Sequence, residues 1–366
     1  MNTSLNNHLQ EASHSARVTS PSLTGEGCQG GTASLDGERP HVAIVAGGDS
    51  SEHDVSLRSA AGILSFMDQS RYDCTIVELS LKGWYAHYED QLLPIDRNDF
   101  SFTADGRKHT FDFAYITIHG TPGEDGILQG YFDLIQMPYS TSGVLVESLT
   151  FNKFALNAYL RSIPGCHVSD SVLIRRGLAR PSDEELAQRL GLPCFVKPNA
   201  GGSSFGVTKV KTLDQLTPAI DKAMLESDEV MVERMMTGTE ITCGAYLKGE
   251  EVVCFPLTEV ALKGVEFFDY EAKYEGKSDE ITPARIADAT RDRVWALTRH
   301  IYRTLGCYGI IRIDYILSGE AGHEGINILE INTTPGMTAA SFIPQQVRAS
   351  GTPISEVLSD IIEGRL

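Results

Sequence analysis

Two apolar runs near the C-terminus, GIIRIDYIL and GINILEIN, are separated by the turn-rich segment SGEAGHE. This pattern predicts an antiparallel β-hairpin. Residues two apart on a strand share a face, so Arg312 and Asp314 should point the same way on the first strand, as should Glu330 and Asn332 on the second. The hairpin therefore carries charged side chains in the middle of apolar strands, which constrains both the fold and the chemistry of this part of the chain.

Charged side chains inside apolar strands need partners, because burying an unpaired carboxylate is costly. Carboxylate and amide oxygens are ligands that suit Mg²⁺ bound together with phosphates, and they do not suit zinc. Asp314, Glu330 and Asn332 are therefore candidate magnesium ligands, and a buried Arg312–Asp314 ion pair without a metal is the alternative. In the segment TTPGMTAAS that follows, Gly336 can present a bare backbone N–H to an oxyanion.

The segment VKPNAGGSSFGVTKV, from Val196 to Val210, has the residue types of a phosphate-binding glycine loop. Its lysine, Lys197, precedes the glycines, and strand-like sequence flanks the loop on both sides. The pattern therefore predicts a hairpin loop and not a strand-to-helix Walker loop. Glycine N–H groups, the hydroxyls of Ser203 and Ser204 and the charge of Lys197 could all contact phosphate. A plain glycine-rich turn is the alternative.

Two acidic residues are associated with the next predicted strand. Glu233 ends the run EVMVE, and Glu240 comes after the turn at Thr237 and Gly238. Their carboxylates could accept hydrogen bonds from an adenine amino group and from a ribose. Surface acids that bind no ligand are the commoner case, so this interpretation needs support from elsewhere in the chain.

Two helices are predicted before the glycine segment. The first, FNKFALNAYLRS, carries Lys153. The second begins with Ser182 and Glu185 in the spacing of a capping box and should end at Gly191. Between them, VSDSVLIRRG has the composition of a strand, so this region alternates helix and strand.

The first predicted strand is the run HVAIVAGG, which begins at His41 and ends in the glycine turn Gly47-Gly48. A helix should follow, with Ser51 and Asp54 as its capping box. This is the first βα unit of an open α/β domain. Its glycine turn is not G-x-G-x-x-G, so the dinucleotide-binding fingerprint is absent.

Polar residues collect where the strands of this domain should end. Glu52 lies beside the glycine turn, while His119, Glu124 and Asp125 follow the strand FDFAYITIHG. Open α/β sheets bind ligands at the carboxyl ends of their strands, so these side chains are expected to line a crevice. For Glu52, the alternative is a first-turn acid that only complements the helix dipole.

Length and composition limit the classes of function. The 366 residues are enough for two or three compact units, and the formal net charge of −18, with lysine and arginine scattered, disfavours nucleic acids and anionic membranes as partners. The seven cysteines have no C-x-x-C pair and no zinc spacing, which favours reduced thiols in the cytosol. The first forty residues are polar, without a signal-peptide or membrane-span pattern, and are expected to be a disordered extension.

A series of motifs runs in order through the chain from His41 to Leu366: GGDSSEHDVSL, HGTPGEDGILQG, VKPNAGGSSFGV, EVMVERMMTGTE, FDYEAKY, IIRIDY and LEINTTPGMTAASFIP. This series resembles the motifs of D-alanine–D-alanine ligases, which are members of the ATP-grasp superfamily. The resemblance implies an α/β chain, α+β in its ATP-binding part, with an ATP-grasp fold and an N-terminal open parallel-sheet, Rossmann-like domain. The glycine segment then resembles the flexible hairpin that covers ATP phosphates in such enzymes.

The resemblance also implies roles for the residues that match the family motifs. For ATP, it implies phosphate-facing lysines, acceptors for adenine and ribose, and loop and backbone donors: Lys153, Lys197, Lys273, Ser203, Ser204, Glu233, Arg234, Met236 and Glu240. For two Mg²⁺ ions, with Mn²⁺ as a possible substitute, it implies the ligands Asp314, Glu330 and Asn332. For the substrates, it implies Glu52 at the first ammonium, linked through Ser203 to Tyr274; Lys273 and Ser341 at the γ-phosphate or the second carboxylate; Arg312 and the Gly336 N–H at the oxyanion; and His119 near the first substrate.

The implied activity is the ATP-dependent joining of two D-alanine molecules through a D-alanyl phosphate, for peptidoglycan precursor and cell-wall synthesis. In the family, a tyrosine at position 274 accompanies the dipeptide product, and phenylalanine accompanies enzymes that make the D-lactate ester. ATP and D-alanine are the expected partners, without nucleic acid or membrane, and a cytoplasmic homodimer is expected. The expected organisation is an extension, a Rossmann-like domain and two ATP-grasp subdomains, at residues 1–38, 39–149, 150–241 and 242–366.

Other functions remain open at this point. A related ligase could use D-lactate or another acceptor in place of the second D-alanine. A Rossmann-type dehydrogenase shares the first βα unit, but the absent glycine fingerprint argues against it. A catalytically inactive nucleotide-binding regulator would have little reason to keep Arg312, Asp314, Glu330 and Asn332 together.

Overall fold

The computed structural model describes residues 39–202, 205–262 and 278–366. The predicted extension at residues 1–38 lies outside the described residues, as do Ser203, Ser204, Lys273 and Tyr274 among the predicted site residues. The predicted division of residues 39–366 into three domains stays a prediction.

The N-terminal sheet is parallel around its first strand. β1 (His41–Gly47) lies between β2 (Asp73–Ser80) and β7 (Phe113–Ile116) and pairs in parallel with both. Helix α1 (His53–Phe66) makes the crossover from β1 to β2. The apolar interior of β1 is fully buried, as expected for a central parallel strand. The predicted βα unit is confirmed, and the chain leaves the end of β1 at a point where neighbouring strands lie on opposite sides.

The rest of this sheet is an antiparallel meander that the motifs did not predict. After β2 come β3 (Gly83–Tyr88), β4 (Gln91–Asp96), β5 (Ser101–Ala104) and β6 (Arg107–His109), each paired with the strand before it. The β5–β6 turn is Asp105-Gly106, with φ of 50° and 72°. Asp-Gly at a two-residue turn is a strong hairpin signal, so the β5–β6 hairpin could have been predicted from the sequence.

The capping box predicted at the start of α1 is wrong. The N-cap residue is Glu52, not Ser51, and it makes no side-chain capping bond. The hydroxyl of Ser50 accepts from the Glu52 N–H at 3.2 Å and donates to the His119 carbonyl at 2.9 Å. Ser50 therefore ties the start of the helix to the end of the β7 segment, and this contact between distant parts of the chain sets the helix boundary.

The central sheet contains the strands that flank the glycine segment. β8 (Ser171–Arg175), β9 (Cys194–Pro198), β10 (Thr208–Val210) and β11 (Glu229–Arg234) pair antiparallel in the order β10-β9-β11-β8. The glycine segment therefore joins two antiparallel neighbours, β9 and β10, which confirms the predicted hairpin arrangement.

Short helices lie along the chain between β7 and β11. In chain order they are α2 (Ile127–Leu134), α3 (Val144–Phe151), α4 (Lys153–Leu160), α5 (Asp183–Leu190) and α6 (Leu216–Ala223), with a 3-10 turn at Leu213–Gln215. The predicted capping box of α5 is confirmed: the Glu185 N–H donates to the Ser182 hydroxyl at 3.2 Å, and the Ser182 N–H donates to the Glu185 carboxylate at 2.8 Å. Helix α5 is followed by Gly191 as predicted.

The C-terminal sheet contains the charged hairpin. Its strands are β12 (Thr239–Lys248), β13 (Glu251–Cys254), β14 (Thr258–Leu262), β15 (Ser278–Ile281), β16 (Ile311–Ser318) and β17 (Gly325–Asn332). β16 and β17 pair antiparallel with Arg312 opposite Asn332 and Asp314 opposite Glu330. This confirms the predicted hairpin and the shared face of its charged residues.

Three helices cover the C-terminal sheet and lead to the chain end: α7 (Asp288–Leu305), α8 (Phe342–Ser350) and α9 (Ile354–Glu363). Helix α7 buries Val294, Ile301 and Tyr302 against strand residues such as Ile313. Among the described residues, no helix combines the length and apolar character needed to cross a membrane.

Candidate active site

A cleft of about 880 Å³ lies among the ends of these elements. Its walls include every predicted site residue that belongs to the described part of the chain: Glu52, His119, Lys153, Lys197, Glu233, Arg234, Met236, Glu240, Arg312, Asp314, Glu330, Asn332, Gly336 and Ser341. Residues separated by up to nearly three hundred positions in the sequence thus surround one space.

One wall of the cleft, which we term the acidic face, consists of Arg312, Asp314, Glu330 and Asn332 on β16 and β17. The Arg312 guanidinium donates to both Asp314 carboxylate oxygens at 2.8 Å. The Asn332 amide lies 3.3 Å from Asp314 Oδ2 and 3.4 Å from Glu330 Oε1. The ion pair that the sequence allowed as an alternative is therefore present. Arg312 makes this close ion pair with Asp314 only, since its guanidinium is 3.9 Å from Glu330 Oε1.

Glu330 is the more accessible carboxylate of the acidic face. Its side chain is 35% exposed, against 9% for Asp314, so Glu330 can be reached from the cleft. Burial opposes its ionisation, but the charges of Lys153, Arg312 and Lys197 outweigh burial and lower the pKa of Glu330 to about 2. Burial likewise opposes the charge of Arg312, yet Asp314 raises the pKa of that guanidinium. Both groups are charged at neutral pH.

A second group of residues that lines the cleft, which we term the lysine face, consists of Lys153 on α4, Lys197 on β9 and Glu233 on β11. Lys197 Nζ lies 2.7 Å from Glu233 Oε2, and the Asn157 amide donates to Glu233 Oε1 at 3.3 Å. Lys153 Nζ donates to the carbonyl of Gly201 at 2.6 Å, so it holds the start of the glycine segment. Burial lowers the pKa of Lys153, and nearby Glu330 acts in the opposite direction.

The glycine segment reaches across to Glu52 at the start of α1. A Cβ atom placed on Gly202 would lie 2.4 Å from Glu52 Oε2, so a larger residue would require the carboxylate end of Glu52 to move. Glycine at position 202 therefore lets Glu52 keep this position. Gly202, which precedes Ser203 in the sequence, lies beside the Glu52 carboxylate.

The loop after β17 forms the far end of the cleft. Ser341 is the N-cap residue of α8, and its hydroxyl accepts from the Thr338 N–H at 3.2 Å. A Cβ atom on Gly336 would lie 3.0 Å from Ser341 Oγ, so these two positions are neighbours. The positive end of a helix dipole suits a carboxylate or an oxyanion at this place.

The buried His119 lies beneath the same loop. Its Nε2 is 3.3 Å from the hydroxyl of Ser59 on α1, and the Met337 N–H donates to that hydroxyl at 3.4 Å. Gly62 on α1 permits this packing, since a Cβ atom there would lie 2.5 Å from the Met337 carbonyl oxygen. His119 therefore lies where α1 and the loop after β17 meet.

Burial changes the pKa of two further carboxyls that line the cleft. It raises the pKa of Glu240 to about 8, assisted by the charges of Asp314 and Glu330. It raises the pKa of Glu124 to about 7, although the Gly120 N–H donates to Glu124 Oε2 at 2.7 Å. A neutral Glu240 can both donate and accept hydrogen bonds, which suits a sugar hydroxyl.

The sequence predicts no role for some residues in or near the cleft. It indicates Glu124 only as part of an acidic pair after β7, and it assigns no role to Glu147 on α3. Glu259 lines the mouth of the cleft and holds Arg285 by bonds of 2.9 and 2.6 Å. For Glu147 the available signal was one acid inside the apolar helix sequence VLVESLTF.

The acidic face fits a hard divalent cation. Within the described residues, no three His, Cys, Asp or Glu side chains converge as a metal cluster. Asp314 and Glu330 supply two carboxylates opposite each other, and Asn332 adds an amide. Mg²⁺ is commonly held by one or two carboxylates and completed by waters and phosphate oxygens, so this donor set fits it better than a closed zinc site.

Two family models match the chain. The model described as D-ala D-ala ligase N-terminus matches residues 41–142, and the one described as D-ala D-ala ligase C-terminus matches residues 165–363. A D-alanine--D-alanine ligase of Phocaeicola vulgatus is 59% identical over 325 residues, which cover 88% of this chain and 98% of that protein.

Solved structures show the same likeness. The VanG D-Ala:D-Ser ligase of Enterococcus faecalis is 30% identical, with a TM-score of 0.77 and coverage of 90% of this chain and 100% of that one. A D-alanine--D-alanine ligase of Bacillus anthracis complexed with ATP is 26% identical, with a TM-score of 0.70 and coverage of 89% and 97%. The likeness therefore spans both matched regions and nearly the full length of these proteins.

Proposed function

The chain belongs to the D-alanine–D-alanine ligase family, with the ATP-grasp fold of that family, and from this premise we propose how its cleft uses ATP to join two D-alanine molecules. As a member of that family it is an ATP-dependent ligase. One observation carries the proposal: an acidic face, a lysine face and the N-cap residue of a helix, Ser341, all line one cleft. That arrangement suits a nucleoside triphosphate and two small zwitterions.

ATP occupies the space between the two faces in this proposal. Lys153 and Lys197 contact the phosphates, and the Lys197 ammonium group then interacts with both a phosphate and the Glu233 carboxylate. Glu233 accepts from the adenine amino group, and neutral Glu240 bonds the ribose. The remaining predicted contacts come from the backbone of Arg234 and Met236 and from Ser203, Ser204 and Lys273.

Asp314, Glu330 and Asn332 would hold two Mg²⁺ ions, with Mn²⁺ as a substitute. When bound, the ions would neutralise phosphate charge, in addition to the charge that the lysines supply. The lowered pKa of Glu330 supports this role, because the carboxylate is ionised and needs no proton release before it binds a cation.

The first D-alanine is oriented by Glu52, which binds its ammonium group, with His119 close by. Its carboxylate oxygen attacks the γ-phosphorus of ATP, the bond to the bridging oxygen breaks, and ADP leaves with that electron pair. The product is D-alanyl phosphate, which is a good acyl donor because phosphate is a good leaving group. Closure of the glycine segment over the site keeps water from hydrolysing it.

The second D-alanine binds with its carboxylate at Ser341 and the N-terminus of α8. Its amine, once deprotonated, attacks the carbonyl of D-alanyl phosphate. Arg312 and the Gly336 N–H stabilise the tetrahedral oxyanion, and phosphate leaves as the peptide bond forms. In the proposal Tyr274, linked through Ser203 to Glu52, favours an amine over a hydroxyl as the attacking group.

We extend the proposal to partners and location. ATP as substrate and free cysteines among the described residues are consistent with the cytoplasm, and the net charge of −18 disfavours nucleic acid and anionic membrane as partners.

For the expected homodimer, the exposed apolar side chains of α2 and α3 are a candidate surface: Ile127, Leu134 and Leu145 are 64%, 85% and 78% exposed. A Leu134→Asp variant that stays dimeric by light scattering would exclude this surface.

Phosphate release tests the reaction. The protein is incubated with ATP and Mg²⁺, with D-alanine, with D-lactate, or with both, and products are identified by mass spectrometry. We expect phosphate release that depends on D-alanine and forms D-alanyl-D-alanine. Absence of dipeptide from folded protein that binds ATP would refute the proposal.

A further inference from the structure

Glu147 is a buried carboxyl that the proposed reaction does not use. It lies on α3 with no exposed surface, inside the apolar sequence VLVESLTF. The hydroxyl of Thr333 donates to Glu147 Oε2, and Ser142 lies close to the same carboxyl, although among the described residues Glu147 Oε1 makes no hydrogen bond of normal geometry. Burial raises the pKa of Glu147 well above its usual range, although the hydrogen bond from Thr333 acts in the opposite direction. Burying such a group is costly, so a purely apolar residue would be the simpler choice for packing alone.

Thr333 is the residue directly after Asn332, the last residue of β17. Its side chain is 3% exposed, so Glu147 provides the bond that its hydroxyl would otherwise find in water. The next residue, Thr334, is bonded in a similar way: its hydroxyl lies within hydrogen-bonding reach of Glu124 and 3.4 Å from the Ile118 carbonyl oxygen. Two consecutive threonines are thus held by carboxyls from the α3 and α2 side of the cleft.

These bonds act on a short stretch of chain between two proposed functional groups. Asn332 ends the acidic face, and Gly336 begins the oxyanion site four residues later. The Pro335 N atom cannot donate a hydrogen bond, so side-chain bonds are important for fixing this stretch. A carboxyl on a helix is a rigid support, because the helix itself is packed against the neighbouring elements.

We propose that Glu147 is a positioning residue that holds Thr333 and thereby fixes the Asn332 amide and the Gly336 N–H in the geometry the reaction needs. The inference rests on the proposed function of those two groups. Glu147 touches neither substrate nor metal in this role. Its effect passes through one hydroxyl.

The test compares Glu147→Leu, Thr333→Val, the double variant and Glu147→Gln. Loss of one partner leaves the other buried without its bond, whereas removing both leaves neither unsatisfied. Each protein is measured for kcat, for thermal unfolding without ligand, and for calorimetric affinity for ADP with Mg²⁺. A matched control is the pair Thr290→Val and Glu324→Leu, since Thr290 donates to Glu324 at 2.7 Å and neither residue lines the cleft.

We expect kcat to fall about tenfold to a hundredfold in Glu147→Leu and Thr333→Val, because small displacements of positioning groups have effects of this size. Affinity for ADP with Mg²⁺ should weaken about tenfold, given as a fold-change in Kd. The double variant should regain thermal stability and stay slow, with an effect smaller than the product of the single effects. Glu147→Gln, whose amide oxygen can accept from Thr333, should stay within about twofold of the wild type.

The inference is overturned if the folded double variant keeps kcat and Kd within twofold of the wild type, or if the control pair loses them equally. If a single variant does not fold, the double variant and Glu147→Gln still decide. If the wild type makes no dipeptide, the proposed function fails. The Kd for ADP with Mg²⁺ then still reports whether Glu147 positions the acidic face.

Discussion

The two faces of the cleft both carry charges on neighbouring strands, but they balance those charges differently. On the lysine face, Lys197 and Glu233 form a one-to-one pair at 2.7 Å. On the acidic face, one arginine serves two carboxylates, bonding Asp314 at 2.8 Å while Glu330 lies 3.9 Å away. The lysine face is therefore internally neutral apart from Lys153, and the acidic face has an excess of negative charge.

The strand register sharpens this difference. Asp314 and Glu330 lie directly opposite each other across β16 and β17. Like charges in that arrangement are destabilising. Lys197 and Glu233 are opposite charges on adjacent strands, β9 and β11. In the proposed function this unfavourable arrangement, which Arg312, Lys153 and Lys197 partly offset, would receive a further cation, whereas Lys153 and Lys197 would contact phosphate.

The strongest way to break the comparison is to remove the excess charge of the acidic face. Glu330→Gln keeps the size of the side chain and removes the ionised oxygen. We expect turnover to fall by about a hundredfold or more, because phosphate charge is no longer neutralised on that side. Steady-state phosphate release measures the effect.

The same variant should not unfold the protein. The change relieves repulsion from the facing Asp314, but it also removes a charge that Lys153, Arg312 and Lys197 stabilise, as the lowered pKa of Glu330 shows, so we expect a folded protein with a somewhat lower melting temperature. Near-normal activity in the folded variant would contradict the metal assignment. A variant that does not fold would instead indicate that Glu330 is mainly a partner for Arg312 and the lysines.

Acceptor choice tests whether the charged faces determine the product as well as phosphate handling. In Tyr274→Phe both faces stay unchanged, and only a phenol that could bond Ser203 and Glu52 is lost. A hydrogen bond to a charged group contributes about 1.5–3 kcal/mol, so the ratio of ester to peptide should rise about tenfold to a hundredfold. Competition between D-alanine and D-lactate at several pH values measures it, and an unchanged ratio would show that Tyr274 does not set the acceptor.

The hairpin that forms the acidic face could be predicted in detail because its information is local. Two apolar runs, a turn and a period of two determine the pairing of Arg312, Asp314, Glu330 and Asn332. The capping box of α5 was predicted for the same reason. At the start of α1, by contrast, Ser50 bonds the distant His119 carbonyl, and the local pattern at Ser51 and Asp54 gave the wrong cap.

The ion pairs and the support of the threonines could not be predicted, because they depend on contacts between distant segments. Nothing in EVMVE indicates that Glu233 meets Lys197, and nothing in VLVESLTF indicates that Glu147 meets Thr333. The roles given to site residues came from the order of the motifs, and they stay predictions.

The lysine face can be broken through Lys197→Met, with the double variant Lys197→Met/Glu233→Gln as its partner. The single variant removes a phosphate contact and leaves Glu233 buried without its cation, so both ATP affinity and stability should fall. We expect KM for ATP to rise about tenfold, which corresponds to about 1.4 kcal/mol. The double variant should recover thermal stability but not KM. Recovery of both would mean that Lys197 serves only Glu233.

The smallest expected effect sharpens the comparison at Glu124, which lies near the cleft but outside both faces. Glu330 and Glu124 are carboxyls in the same cleft, yet the pKa of Glu330 is lowered to about 2 and that of Glu124 is raised to about 7. The lowered pKa of Glu330 is due to the charges of Lys153, Arg312 and Lys197. The raised pKa of Glu124 is due to burial and, to a smaller extent, to the charge of Glu52. Below about pH 4.5 Glu124 is protonated in both the folded and the unfolded chain, so its ionisation contributes nothing.

Between pH 4.5 and about 7 the unfolded chain has released this proton while the folded chain keeps it, so stability falls as the pH rises; above about 7 the loss is complete. Glu124→Gln has no proton to lose and can still accept from the Gly120 N–H. Its melting temperature relative to the wild type should therefore increase from pH 4.5 to pH 7 by about a few degrees and then level off. The exposed Glu184→Gln serves as the control and should follow the wild type throughout. If the difference in melting temperature between Glu124→Gln and the wild type does not change between pH 4.5 and pH 7, Glu124 is ionised in the folded protein, as Glu330 is. In that case the cations of the two faces would also stabilise the charge of Glu124, which they do not contact.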